Sequence, residues 1–297
     1  MQTKVLRRKK RANYEEFGSD LDEYIDIDGI KIALSTNKWD SETVDALNIV
    51  SENVDDLGYI FHGNLTLDDD KLKIVVPNWN GTKDSINDIT PNRKLRTLLR
   101  KAATINSWQI SGQQLETLVD GFTDSLLHIL GFDDDPLGVY PQYEFSTHFE
   151  GVHEITSKPD FTVMKDEVSI LVVIEDKTAR NANIKNNWKE AQVMGEIFVA
   201  AHKLVSLGAF STGVKYPISV YAVRIVGIFF TFYKSSFTED YMFQDLNNLP
   251  LAIEGNVKRY PSLTDRTKIN AFNFCIPSER EEIIRCMSHI CFLISKD

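Results

Sequence analysis

The chain has 297 residues, 42% of them hydrophobic, 26% charged and 10% aromatic, a profile that excludes a disordered or fibrous protein and provides for a sizeable core. Lys and Arg number 33 against 43 Asp and Glu, and the net charge of -10 excludes a polycation that holds nucleic acid by bulk electrostatics. The charge is uneven: Lys4, Arg7, Arg8, Lys9, Lys10 and Arg11 make a basic tip ahead of an acidic stretch at 15–28, so any phosphate binding has to be local.

Cys275, Cys286 and Cys291 are too few for a disulfide framework and lack the Cys-x-x-Cys spacing of a zinc site, so they read as small core residues of a reduced protein. The N-terminus opens on charge rather than on an apolar stretch. The most apolar tract, 225–233, is far shorter than the roughly 20 residues that span a bilayer. These features predict a soluble, intracellular protein with no membrane partner, its basic tip being a disordered solubilising tail, a nuclear-import signal or a non-specific arm for DNA.

Along the chain, the Asp28-Gly29 pair predicts a hairpin between 24–27 and 30–34. A helix is predicted over 40–54, capped by Asp40 or Ser41, then a second hairpin from 59–67 and 71–76 joined at 68–70. Turn formers crowd 77–91 and mark a boundary. The division is a tip at 1–14, a small α+β region at 15–90 and a main domain at 91–297. That domain opens with helices at 93–103, which carries a basic cluster (Arg93, Lys94, Arg96, Arg100, Lys101), and at 113–130, with Gly131 as its C-cap. Strands at 160–164 and 168–174 follow, joined by a tight turn at 165–167. The second is a run of Ile, Leu and Val that suits a strand buried on both faces. A helix at 182–207, strands at 219–224 and 228–233, and a last helix with Ser278 and Glu281 as its capping box complete the chain.

The chemically informative passage is 158–177, KPDFTVMKDEVSILVVIEDK. Side chains alternate along a strand, so Glu175 and Lys177 share a face. Pairing through the turn at 165–167 brings Asp160 beside them. Two carboxylates and an ammonium at the end of a buried sheet are costly unless compensated, and a divalent metal with oxygen ligands compensates them. Such a metal polarises a phosphoryl oxygen and acidifies a water, while a lysine orients that water: the equipment for phosphodiester hydrolysis. The competing structural reading is a turn carboxylate and a surface ion pair worth roughly 0–1 kcal/mol. His148 and His153, just upstream, read as polar loop residues.

Pro159-Asp160 followed after fourteen residues by Glu175-Asp176-Lys177, with a helix before the hairpin and another after the lysine, resembles the PD-(D/E)XK nuclease superfamily over about 113–235. The tract 220–233 also looks like a hairpin of fungal and oomycete members, including nuclease domains attached to Crinkler-type effectors. The resemblance implies a restriction-endonuclease-like α/β (α+β) fold, a central mixed sheet flanked by helices, and a metal-dependent nuclease, a DNA endonuclease in the first instance. It implies Asp160 and Glu175 as ligands of Mg2+ or Mn2+ and Lys177 as the group assisting the water. Glu116 on the preceding helix would be an extra ligand, with Asp120 one turn on as its rival. Gln192 on the following helix would orient substrate, although Glu196 stands where the exonuclease branch has a tyrosine. Lys158, Arg180, Lys185 and Lys189 flank the site and would meet phosphates. The partners implied are nucleic acid, DNA ahead of RNA, a second copy of the chain, and a protein docking on the N-terminal region. The rival reading is a nuclease-fold interaction module without catalysis.

Overall fold

A computed structural model describes residues 23–61, 67, 69–84, 86–111, 116–149, 153–165, 168–176, 190–208, 214–265 and 270–296, without the side chains of 69–70, 109–111, 116, 149 and 168–176. In chain order the elements are β1 (Tyr24–Ile27), β2 (Ile30–Ala33), α1 (Ser41–Ala46), β3 (Ile49–Asn53), α2 (Leu57–Ile60), α3 (Asp69–Val75), α4 (Ile86–Ile89), α5 (Arg93–Ser111) and α6 (Glu116–Ile129). Then come β4 (Leu137–Pro141), β5 (Phe145–Phe149), β6 (His153–Ser157), β7 (Phe161–Lys165), β8 (Val168–Asp176), α7 (Glu190–Gly208), β9 (Tyr221–Val226) and β10 (Phe229–Ser236). The last are α8 (Glu239–Met242), β11 (Gly255–Tyr260), β12 (Phe272–Asn273) and α9 (Pro277–Lys296). The protein is therefore of the mixed α+β class. Among the described residues no helix is long and apolar enough to cross a membrane.

The central sheet runs β3-β11-β10-β9-β8-β7-β4, with β12 added beside β10. Its inner pairs are antiparallel except β8 with β9, and β3 joins the edge parallel to β11. Residues of β9 and β10 alternate between two apolar clusters, as the period of a strand requires. Val223, Ile225, Phe230 and Phe232 enter the cluster formed with α3, α5, α6 and α9. Ala222 and Tyr233 enter the one formed with β1, β2, α1 and α7. Residues from the first ninety positions contribute to both clusters.

Local signals hold where they are self-contained. Asp28 and Gly29 sit at φ 52° and 87°, the left-handed pair of a two-residue hairpin turn. The α6 terminus is a Schellman motif: Gly131 lies at φ 83°, its N–H donates to the His128 carbonyl, and the Phe132 N–H reaches back to Leu127. Elsewhere tertiary pairing wins. The helix expected over 40–54 stops at Ala46, because Asn48 turns left-handed (φ 49°) and Ile49–Asn53 extends to pair with Gly255–Arg259. The second hairpin expected at 59–76 is replaced by α2 and α3. In α9, Pro277 occupies the first helical turn, so Ser278 lies inside the helix and caps nothing. The carbonyl of Ile276 takes the first intrahelical bond, from the Arg280 N–H, and Glu281 pairs instead with Arg285 at 2.6 Å.

Arg280 is fully buried without a carboxylate partner among the described residues. Its guanidinium donates to the carbonyls of Val75 (2.6 Å), Val76 (2.7 Å), Trp79 (2.8 Å) and Phe274 (2.8 Å) and lies 4.9 Å from the Trp79 ring centre. Val76, a β-branched residue at φ 46°, is held in a costly conformation by these bonds. Arg280→Met leaves four buried acceptors without their donor. Chemical denaturation should report a loss of about 3 kcal/mol or more, and a loss under about 1 kcal/mol would contradict this role.

On α7, burial pushes the His202 imidazole down to about 4. The folded state then favours the neutral ring, so this stability is complete above about pH 6.5, the unfolded value, and is lost as pH falls toward 4. His202→Leu should flatten the decline of Tm between those pH values, and an unchanged slope would show that the acid sensitivity lies elsewhere.

Candidate functional site

The hairpin β7–β8 and the helix α6 build the site. Phe161 pairs with Val173, so the chain at Asp160 lies level with the Ile174–Glu175 peptide of β8. On the other side of β8, Glu175 pairs with Ile225. The backbone thus sets Asp160 next to Ile174, one residue short of Glu175 along β8. The side chain of Glu175 lies outside the description, as does all of Lys177.

Asp160 sits in a bend just before β7, half-buried, with its carbonyl accepting from the Gln142 N–H at 2.9 Å. It lines an open cleft of about 370 Å³ whose opposite wall is α6: Thr117, Asp120, Gly121 and Asp124, with Pro141, Gln142 and Phe161 completing the rim. Three carboxylates therefore border one cavity. Asp124 already faces the imidazole of His128. His128 lies 3.5 Å from it and 3.1 Å from Asp133, and hydrogen bonding to the Asp124 carbonyl, reinforced by both carboxylates, raises the imidazole above its ordinary pKa. Asp120 differs: its Oδ1 is buried and has no hydrogen-bond partner among the described residues. Burying a polar atom in this way costs about 1–3 kcal/mol until a partner satisfies it.

Helix α6 is held over the cleft by Lys101 of α5, whose ammonium donates to the Gly121 carbonyl and to Ser125 Oγ (2.7 Å). Gly121 keeps this approach open, since a Cβ there would meet Lys101 Nζ at 3.3 Å. Lys101, expected among the phosphate-facing cations of 93–101, is thus engaged in helix packing. Arg96 and Arg100 are tied to Thr90 and Asn87, whereas Arg93 and Lys94 are exposed.

The remaining candidates fall into three groups. Lys158 is described and exposed at the end of β6. Gln192 donates its amide to Glu196 Oε1 at 2.9 Å within α7, a half-buried pairing along one helix face that the four-residue spacing permits. Arg180, Lys185 and Lys189 lie outside the described residues, as do the basic tip and the side chain of Glu116. His148 and His153 are exposed on the β5–β6 hairpin and do not line the cleft. The three cysteines are buried and unpaired, and burial raises the thiol of Cys275 to about 12. Among the described residues no three His, Cys, Asp or Glu side chains group closely enough to hold a metal.

One cluster has no signal in the sequence. Glu190, at the start of α7, receives the Tyr233 hydroxyl at 2.7 Å and faces Arg259 (3.4 Å) and Arg224 (3.5 Å), both buried. Burial, then the Glu190 charge, raises the Tyr233 phenol well above its usual range. One carboxylate thereby ties α7 to β9, β10 and β11 directly after the segment that contains Lys177. Only the register of three strands makes these residues neighbours.

No protein-family model matches the chain, and no curated protein matches it.

Replacing Asp120 by Asn removes the charge from a partly buried, unpartnered position. In the presence of EDTA, Asp120→Asn should raise Tm by about 2 °C, corresponding to about 1 kcal/mol; a lowered Tm would mean that the carboxylate serves the fold.

Proposed function

We propose that the protein is a divalent-metal-dependent nuclease of the restriction-endonuclease-like fold that cuts DNA internally. The observation that carries this reading is the cleft shared by Asp160 and Asp120, where a buried carboxylate oxygen of α6 has no hydrogen-bond partner among the described residues. Support also comes from the order of elements around it: α6, the antiparallel strands β4, β7 and β8, the helix α7, and β9 parallel to β8. That order frames the Pro159-Asp160 and Glu175-Asp176-Lys177 motif as in the PD-(D/E)XK superfamily.

In this reading Asp120, Asp160 and Glu175 hold Mg2+ or Mn2+, an oxygen-rich set of the kind these hard cations take. The cation when bound would polarise a phosphoryl oxygen and lower the pKa of a water. Lys177, two residues beyond Glu175, orients the attacking water and offsets charge that grows on the phosphorane. Asp120 lines the cleft with Asp160 and is the α6 carboxylate assigned here as the third ligand, while the Glu116 side chain lies outside the description. Gln192, already bonded to Glu196, acts through that helix pair rather than as an independent contact. Lys158 and the exposed cations Arg93 and Lys94 supply the local positive charge that a net charge of -10 withholds.

Supercoiled plasmid and a structured RNA incubated with Mg2+ or Mn2+ provide the test. Nicking of the plasmid should fall at least about 100-fold in Asp160→Ala and Lys177→Ala, and by a comparable factor in Asp120→Ala. Cleavage that survives Asp160→Ala and Lys177→Ala would reject this site, and absence of metal-dependent cleavage would favour a non-catalytic binding module.

A further inference from the structure

We propose that Tyr140 and Tyr143 form a stacking platform for an unpaired base beside the cleft, so that the substrate is nucleic acid carrying a single-stranded or flipped nucleotide near the cut. The proposal rests on the nuclease reading of the cleft.

The two rings are 42% and 37% exposed on and just after β4, the edge strand of the sheet. Single exposed aromatics such as Tyr24 and Tyr59 occur elsewhere on the surface, but here two neighbouring exposed rings are fixed against each other. Tyr140 meets Tyr143 edge-on at 6.2 Å and 68°, and Tyr143 meets Phe145 at 5.2 Å and 61°. Phe145 is buried at 1% exposure, so the ladder is anchored in the core. The Tyr140 ring covers Gly138, where a Cβ would come within 3.0 Å of it.

Between the two tyrosines, Gln142 adopts φ 51°, a left-handed conformation that costs a non-glycine residue about 1 kcal/mol. That conformation is held by the bond from its N–H to the carbonyl of Asp160. The turn that sets the rings is therefore attached to the proposed metal ligand itself, and Pro141 and Gln142 line the cleft. A cation is also close along the chain: Ser157 pairs with Phe145 and is followed by exposed Lys158, then by Pro159 and Asp160. Two neighbouring exposed rings, with a lysine close along the chain, suit a polyanion with planar, stackable groups, and a cation bound in the cleft would offset its carboxylates. Duplex bases already stack on one another, so the platform favours an unpaired base, and stacking of this kind is tolerant of base identity.

Fluorescence anisotropy in EDTA, with labelled oligothymidylate of about 12 nucleotides and a blunt duplex of equal length, separates binding from cleavage. Tyr140→Ala and Tyr143→Ala should each weaken oligothymidylate binding about 10-fold, with Tyr140→Phe and Tyr143→Phe close to wild type and duplex affinity little changed. Wild-type affinity in the alanine variants, or equal losses for single strand and duplex, would overturn the platform. An overturned platform with plasmid cleavage intact leaves the nuclease reading standing. The predicted anisotropy pattern without metal-dependent cleavage supports the platform and overturns the nuclease reading.

Discussion

Because β8 and β9 run parallel, the chain has to cross back between Asp176 and Tyr221, and α7 makes that return on one face of the sheet. The other face is left to α3, α5, α6 and α9, whose apolar residues form the larger cluster. From this single constraint follow both the two-layered core and the position of the site. The end of β8 and the beginning of β7 emerge together at one end of the sheet, where α6 rather than α7 supplies the facing wall of the cleft.

Polar groups in this core divide by whether the chain itself satisfies them. Arg280 spends its donors on four carbonyls, and Glu190 gathers two buried arginines and a tyrosine. Both arrangements are closed: breaking one partner leaves buried charge or acceptors exposed to a low-dielectric interior. Asp120 is not closed in this way, since its buried oxygen has no partner among the described residues, although the same helix provides His128 for Asp124. A carboxylate that the fold does not satisfy, facing another across a cleft, is a local instability that a bound cation relieves.

What the sequence discloses and what it hides follows from the range of the interactions. The β1–β2 turn is written in two adjacent residues, and the end of α6 in one glycine, because each needs only its own neighbours. The pairing of β7 with β8 is legible as a hairpin, but the register shift between Val163 and Met164, which moves Asp160 by one residue along β8, has no signal in the sequence. By contrast, Ile49–Asn53 reads as the tail of a helix and becomes a strand only because β11, some two hundred residues later, accepts it. Glu116 and Asp120 stand one turn apart and are equivalent in periodicity, and the packing of α6 sets Asp120 at the cleft. Neither the Glu190 cluster nor the Tyr140–Tyr143 ladder carries a spacing signal, because strand register and a left-handed Gln142 create them.

The account as a whole stands on a cation site between α6 and the β7–β8 hairpin. Anomalous diffraction from crystals soaked in Mn2+ addresses it directly. The account predicts a peak in the cleft with oxygen ligands from Asp120, Asp160 and Glu175 at roughly 2.0–2.6 Å, the range of hard-cation coordination. A cleft without a peak at saturating Mn2+, or a peak held by other residues while Asp120 keeps its orphaned oxygen, would contradict it.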